Sequence, residues 1–338
     1  MSPVRIFIVI LSVMGTFAWA DTSLADDPGY VLSLQFENDF FGGGTDRHFT
    51  HGTRLECLTS PIKWITDGAN KLPWFSSKSE TKEPDDSLKG RATISIGQNI
   101  YTPKNTYISQ SLQNDRPYAG WLYMGFGLVV NKGDERYDKV QLEVGIVGPL
   151  SFAEDVQTFW HSMFGLHVPE GWDSQLKNEP GLALYYEQAR RFERRDVLFD
   201  LEFDLMPHFG GSIGNVFTYA SAGFIVRLGP DLKDDFGPPR IRPSLPGAGY
   251  FLSAEGINYY LFSGVEGRAV IRNIFLDGNT FSGSHSVAKK SFVGDLQAGL
   301  AFRWGRLQLS YTQIFRTKEF KEQDGHDVFG SLNLSYQF

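Results

Sequence analysis

The stretch YVLSLQFEN, residues 30–38, alternates without a break. Leu32, Leu34 and Phe36 point one way, and Ser33, Gln35 and Glu37 point the other. A period of two means an extended strand with one apolar and one polar face. The pattern returns along the chain. Residues 90–99 set Ala92, Ile94 and Ile96 against Thr93, Ser95 and Gln98, slipping phase near their end. Residues 139–147 set Val140, Leu142, Val144 and Ile146 against Gln141, Glu143 and Gly145. Residues 196–206 carry Val197, Phe199, Leu201, Phe203 and Leu205 against Leu198, Asp200, Glu202 and Asp204. A carboxylate at every second position is hard to house in a protein core. A hydrated barrel lumen houses it easily, with the alternate apolar residues facing lipid. A soluble β-sandwich has the same period with its apolar face buried, so alternation alone does not separate the two.

Composition favours the barrel. Aromatic residues make up 14% of the chain and glycine supplies 36 residues, yet mean hydropathy is only -0.24. That balance suits a wall that is apolar outside and polar inside. A net charge of -7 argues against a nucleic-acid partner. The single Cys57 excludes a disulfide framework and a cysteine-based zinc site. At the N-terminus, Arg5 precedes the apolar run Ile6–Met14, and Ala18-Trp19-Ala20 closes it. This has the n-region, h-region and A-x-A site of a secretory signal peptide over residues 1–20, leaving 21–338 as one barrel domain.

Twelve candidate strands follow, near 30–38, 50–58, 90–99, 119–131, 138–147, 180–190, 196–207, 214–227, 258–274, 290–304, 306–316 and 328–338. The fold class expected is all-β, a transmembrane antiparallel barrel; the even number fits single-chain bacterial barrels. The last strand ends in phase on Phe338, a usual mark of outer-membrane barrels. If the first strand runs outward, the connections at 39–49, 100–118, 148–179, 208–213, 275–289 and 317–327 share the outer rim. The inner connections 59–89 and 228–257 are long, which implies small periplasmic helices or a missed strand pair.

One segment breaks the strand pattern. Residues 150–181 hold a helical stretch in which Val156, Phe159, Trp160 and Met163 form an apolar stripe. Gln157 and His161, four residues apart, lie along its edge on one face. The helix is expected to pack by that stripe, with the amide and imidazole at the seam. Taken alone, such a histidine is more often a hydrogen-bonded surface residue than a catalyst. At the same rim, residues 37–52 gather Glu37, Asn38, Asp39, Asp46 and Thr50 around three glycines. Hard oxygen ligands of this kind suit calcium, but no EF-hand spacing is present, and on spacing alone a polar hairpin loop is the better reading. Arg116, in Asn114–Tyr123, has the chemistry of a phosphate or carboxylate clamp, or of a solvated charge. Gly210–Gly214 matches G-x-S-x-G, but strands on both sides make it a hairpin turn rather than a nucleophile elbow.

These residues together resemble the outer-membrane lipid A 3′-O-deacylase family. The resemblance is carried by Glu37-Asn38-Asp39-Phe40 with Thr45-Asp46-Arg47 and Phe49-Thr50-His51-Gly52, and by Tyr101-Thr102-Pro103. It continues through Asp115–Tyr123, Gly148-Pro149, Gln157–His161, Gly171-Trp172-Asp173, Gln175-Leu176 and Asn178-Glu179. The ordered succession spans most of the mature chain. The chain departs from the family near His48, where a Tyr is usual, and near His51, where an Asn is usual.

The resemblance implies a twelve-stranded outer-membrane barrel, a site between wall and loop helix at the outer rim, calcium dependence, and hydrolysis of the 3′-linked acyloxyacyl ester of lipid A. On that reading His161 is the general base for a water nucleophile, and Gln157 holds the water or the oxyanion. Calcium, held partly by Asp39, stabilises the oxyanion. Asn38 and Thr50 support metal or oxyanion, and Arg116 and Lys104 meet lipid A phosphate. Asp173 and Glu179 are the available acidic partners for His161. A porin without chemistry and a calcium-dependent phospholipase barrel are the competing readings.

Overall fold

Every long strand turns its polar residues inward. In β1 (Val31–Asn38) Ser33, Gln35 and Glu37 are buried, while Leu34 is 41% exposed. The inversion holds through β2 (His48–Leu58), β3 (Leu88–Thr102), β4 (Ala119–Lys132), β5 (Arg136–Val147) and β6 (Glu179–Arg190). It continues in β8 (Glu202–Gly214), β9 (Phe217–Gly229), β10 (Ala254–Asn273), β11 (Phe292–Gly305), β12 (Leu307–Arg316) and β13 (Asp327–Gln337). The computed structural model describes residues 29–39, 41, 48–72, 88–109, 113–196, 201–232, 235–244, 247, 249–251 and 253–338. The signal-peptide expectation and the glycines of the first outer loop fall outside these residues.

Each strand pairs antiparallel with its sequence neighbour, and β1 also pairs with β13, Val31 opposite Gln337. The short β7 (Glu193–Asp196) continues the line of β6 along β8: Ala189 faces His208 and Glu193 faces Leu205. Thirteen segments therefore make twelve staves, and the β6–β8 pairing closes the ring. The expected strands are found except the one near 196–207. There β7 ends at Asp196 and pairs back onto β8, which runs from Glu202, so the turn expected at 191–195 is strand in part and the strand is displaced toward the C-terminus. Residues 197–200 of the expected alternation lie outside the described residues. Gly210–Gly214 is the end of β8, not the hairpin, which lies at Asn215-Val216. Gly214 is glycine because a Cβ there would come within 2.0 Å of the Leu182 carbonyl oxygen on the neighbouring strand. The Ser212 hydroxyl donates to the Phe217 carbonyl across that hairpin, so no nucleophile elbow forms.

The long inner connections resolve differently from one another. The first carries a short helix, α1 (Lys63–Asn70), against the wall at Gly90. The described residues of the second, within 230–253, form neither helix nor strand pair; they fold up into the lumen as a plug. Arg240 donates to Glu37 and Gln297, and Arg242 to Glu187 and Gln141. Lower down, Phe236, Tyr250 and Phe251 pack with Tyr137 and Tyr260. The remaining luminal charges are cross-braced: Asp295 takes both Arg268 (2.9 Å) and Arg316 (2.8 Å). A lumen filled in this way differs from the water-filled channel of a porin. Exposed Tyr30, Trp64, Tyr259, Trp304 and Tyr336 ring the inner end, where aromatics suit the membrane interface.

Removing one partner of a buried ion pair leaves an uncompensated charge. Arg242→Ala, which strands Glu187, is expected to destabilise the barrel by about 3 kcal/mol. A lowered unfolding midpoint in urea, read by gel mobility of unheated samples, checks this; an unchanged midpoint would mean the plug is held by other contacts.

Candidate functional site

Helix α2 (Ala153–Phe164) lies on the outside of the wall, not over the mouth. Its approach is prepared by the strands beneath it. Ile100 and Gly120 face each other across β3 and β4 on the outward side. A Cβ on Gly120 would sit 2.0 Å from Ser151 Oγ and 2.3 Å from Ala153 Cβ, so only glycine admits the helix. The outward Gln98 amide donates to the Ser151 carbonyl at 2.6 Å. Ile100, Tyr118, Ala153 and Trp172 form a small buried cluster, with Val156 against it. Further along, Trp160 meets Phe36 of β1 with ring centroids 6.4 Å apart.

The buried positions of α2 are Ala153, Gln157 and His161, while Phe159 and Met163 are exposed. This corrects the expected packing. Only half of the expected stripe docks: Val156 and Trp160 meet the wall, Phe159 and Met163 point away from it, and the polar edge with Gln157 and His161 is the buried part. The physical reason is the one that inverts the strands: a helix lying along a lipid-facing wall keeps its apolar side toward lipid and its polar side toward protein. Acidic Glu154 and Asp155 occupy the first turn, where the helix dipole favours them. Partial desolvation, with Asp155 and Asp173 beside it, raises the carboxyl of the exposed Glu154 above its ordinary range.

Both docked polar groups are oriented by the loop that follows. Trp172 Nε1–H donates to Gln157 Oε1 at 2.9 Å, which commits the amide oxygen and leaves the –NH2 end as the donor Gln157 can offer. His161 Nδ1 bonds the His167 carbonyl oxygen. A carbonyl can only accept, so the proton is on Nδ1 and the lone pair on Nε2. The loop is fixed in turn: His167 stacks on Tyr107 at 3.7 Å, Trp172 packs on Tyr118 at 5.0 Å, and Asn178 Oδ1 accepts from Leu150 N. Neither expected acidic partner serves His161 as its Nδ1 acceptor. Glu179 begins β6 and accepts from Asn215, Asn279 and Thr280; Asp173 is exposed.

On the strands nearby, Asn38 closes β1 opposite His51 of β2. The β2–β3 register slips between Phe49 and His51, which makes Thr50 an extra residue in the ladder. Such a bulge re-aims side chains locally. Thr50 Oγ1 meets Thr102 Oγ1 at 2.7 Å, and buried His51 bonds Thr53 at 2.8 Å with its ring edge-on to Phe36. His51 and Trp172 were not singled out as site residues. The phase of β2 opposite Asn38 points to the first; the second stands in the Gly171-Trp172-Asp173 motif, which marks the stretch without giving the indole a role. Asp39, the next residue after β1, is buried.

Two predicted residues lie elsewhere. Arg116 is buried within the mouth, bonded to Glu319 at 2.7 Å and placed against the Tyr101 and Phe320 rings. Lys104 is half-exposed at the rim, paired with the exposed Asp324. Among the described residues, no three His, Cys, Asp or Glu side chains converge as metal ligands. Asp39, Asn38 and Thr50 nonetheless offer only hard oxygen donors, the type calcium takes.

A closed, plugged barrel with a polar helix face docked on its outer flank defines a class of membrane protein. The chain belongs to the outer membrane protein LpxR family, whose profile matches residues 6–338. That is the family the motif succession resembles, and its members are outer-membrane barrels that remodel lipid A. The fold is similar to that of LpxR from Salmonella typhimurium, with a TM-score of 0.71 and 20% identity, covering 91% of this chain and 100% of that one. The β domain of the Bordetella autotransporter BrkA is similar at a TM-score of 0.43 and 10% identity, covering 93% of this chain and 99% of that one. No curated protein matches the chain.

Gly120→Leu should push α2 off the wall while the barrel still closes. Lipid A turnover by cells expressing it is expected to fall at least about tenfold, as misplacing a catalytic group by an ångström can do. Trp172→Phe, which removes one neutral hydrogen bond worth about 1 kcal/mol, is expected to lower turnover about fivefold. Full activity in either variant, measured by mass spectrometry of extracted lipid A, would dissociate α2 from the reaction.

Proposed function

We propose that the protein is an outer-membrane esterase that releases the 3′-linked acyloxyacyl group of lipid A, at a site between α2 and the outer flank of the barrel near its extracellular rim. The observation that carries this reading is the docked imidazole of His161, its Nδ1–H held by a backbone carbonyl and its lone pair on Nε2. An ester in the outer leaflet is reached from the flank of a barrel more directly than from a plugged lumen.

In this reading His161 Nε2 takes a proton from water as the oxygen bonds to the ester carbonyl carbon. The Gln157 –NH2 donates to the oxygen that gains charge. When the tetrahedral carbon collapses, the bond to the sugar 3′ oxygen breaks, and the proton passes from His161 to that oxygen. The products are a free acyloxyacyl carboxylate and a sugar hydroxyl. Asp39, with Asn38 and Thr50, would hold a calcium ion, which supplies electrophilic polarisation of the carbonyl when bound. Lys104 is better placed than Arg116 to meet a lipid A phosphate, because its exposed pair with Asp324 costs little to exchange.

His161→Ala is expected to lower release of the 3′ group by about 100-fold or more, the usual worth of a general base. Lipid A spectra that lose the same group with and without His161 would end this mechanism. Chelation with EDTA is expected to stop release by the wild type, and added calcium to restore it. Undiminished release in EDTA would remove the metal from the scheme while leaving the histidine.

A further inference from the structure

Far around the ring from α2, the lipid-facing wall carries a groove of about 440 Å³ across β9–β12. Its floor is Ala222, Gly267 and Gly294, side by side in register. Val265, Leu296 and Phe315, the next row toward the inner end, form its apolar edge. Toward the rim it ends at Thr317 and His326.

The two glycines are not explained by the packing of the chain. Other strand glycines are crowded: a Cβ on Gly145 would lie 2.0 Å from the Leu122 carbonyl oxygen, and one on Gly211 2.6 Å from that of Tyr219. A Cβ on Gly267 would meet nothing within 4 Å, and one on Gly294 would only touch Thr317 Cγ2 at 3.7 Å and the Glu266 carbonyl oxygen at 3.8 Å. Glycine weakens a strand and offers lipid no side chain. Here it leaves a depression bordered by Val265, Leu296 and Phe315.

Charge sits at one end of the groove. Lys318 follows Thr317 directly, and Lys290 N–H donates to the Glu319 carbonyl, so the two lysines share the rim above it. Three acids near it are engaged elsewhere: Glu319 with Arg116, Asp324 with Lys104, Asp277 with Lys289. Among the described residues neither Lys290 nor Lys318 has an ion-pair partner.

We propose that this groove is a second, non-catalytic binding place for lipid A, with one acyl chain lying over Gly267 and Gly294 and a phosphate against Lys318 and Lys290. The occupant follows from the position. The groove is continuous with the lipid-facing band, it opens at the outer rim, and its mouth is cationic. An acyl chain joined to a phosphate monoester meets all three conditions, and free phosphate meets only the last.

The test counts lipid A molecules retained by the purified full-length barrel in detergent, by native mass spectrometry, on a His161→Ala background to prevent turnover. Gly267→Val with Gly294→Val fills the floor with residues that strands favour, so the barrel should fold at least as well; the mobility shift between heated and unheated samples verifies it. That variant is expected to retain one lipid A fewer than its parent. Lys290→Ala with Lys318→Ala should weaken retention about tenfold, dephosphorylated lipid A should bind the parent equally poorly, and millimolar inorganic phosphate should displace nothing. With His161 present, the valine variant should turn over lipid A at the parental rate, which separates this place from the α2 site. Equal retention by the valine variant and its parent would overturn the proposal. So would equal retention of dephosphorylated lipid A, or displacement by equimolar phosphatidylglycerol.

Discussion

Hydrocarbon offers no hydrogen bonds, so a chain that crosses a membrane as strands must satisfy every backbone group within itself. Twelve staves closed by the β1–β13 and β6–β8 pairings meet that demand. The same absence of partners sorts the side chains. Glu37, Gln141 and Asp295 have a place only inside, where Arg240, Arg242, Arg268 and Arg316 reach them. Leu34, Ile94 and Phe126 belong outside. The orientation of α2 obeys the rule at the level of a helix, and it delivers a histidine and a glutamine to the wall because they are polar.

The docking of α2 also shows how polar side chains are positioned on the outer surface of a barrel. Gly120 allows the approach, Gln98 holds the first turn, and Trp172 and the His167 carbonyl set the two side chains. Gly120 and Gln98 both act at Ser151, and each of the four fixes a different degree of freedom: height, start, amide orientation and ring tautomer. The bulge at Thr50 adds a further local adjustment on the facing strands.

Much of this was legible in the sequence. Alternation in residues 30–38 and 139–147 gave strand, face and environment together, because a strand's period is rigid. The rim shared by Asn38, Asp39 and His161 followed from strand parity. What failed has physical causes. The glycines of Gly210–Gly214 read as a turn, since glycine serves close strand approach and turns equally. The stripe of Val156, Phe159, Trp160 and Met163 read as one docking face, of which Phe159 and Met163 turn outward instead, because an amphipathic pattern shows two faces without saying which solvent each meets. Arg116 read as a clamp for substrate, since nothing local reveals that Glu319, two hundred residues later, closes on it. The plug was invisible for the same reason: residues 230–253 have no period, and their partners are spread around the whole ring.

Those partners matter beyond holding the plug in place. Glu37, which receives Arg240 and the Ile241 amide from inside, is the residue before Asn38 on the outer flank. Ile241 also fills the space over Gly52, the residue after His51. A β-strand is one residue thick, so the interior surface of the plug is the back of the same wall that faces lipid. The barrel's sealed interior thus works as a buttress: the stiffness of the outward flank is set by a segment that never meets the lipid phase. Sequence drift in the plug would be felt at the membrane surface without any change in the residues displayed there.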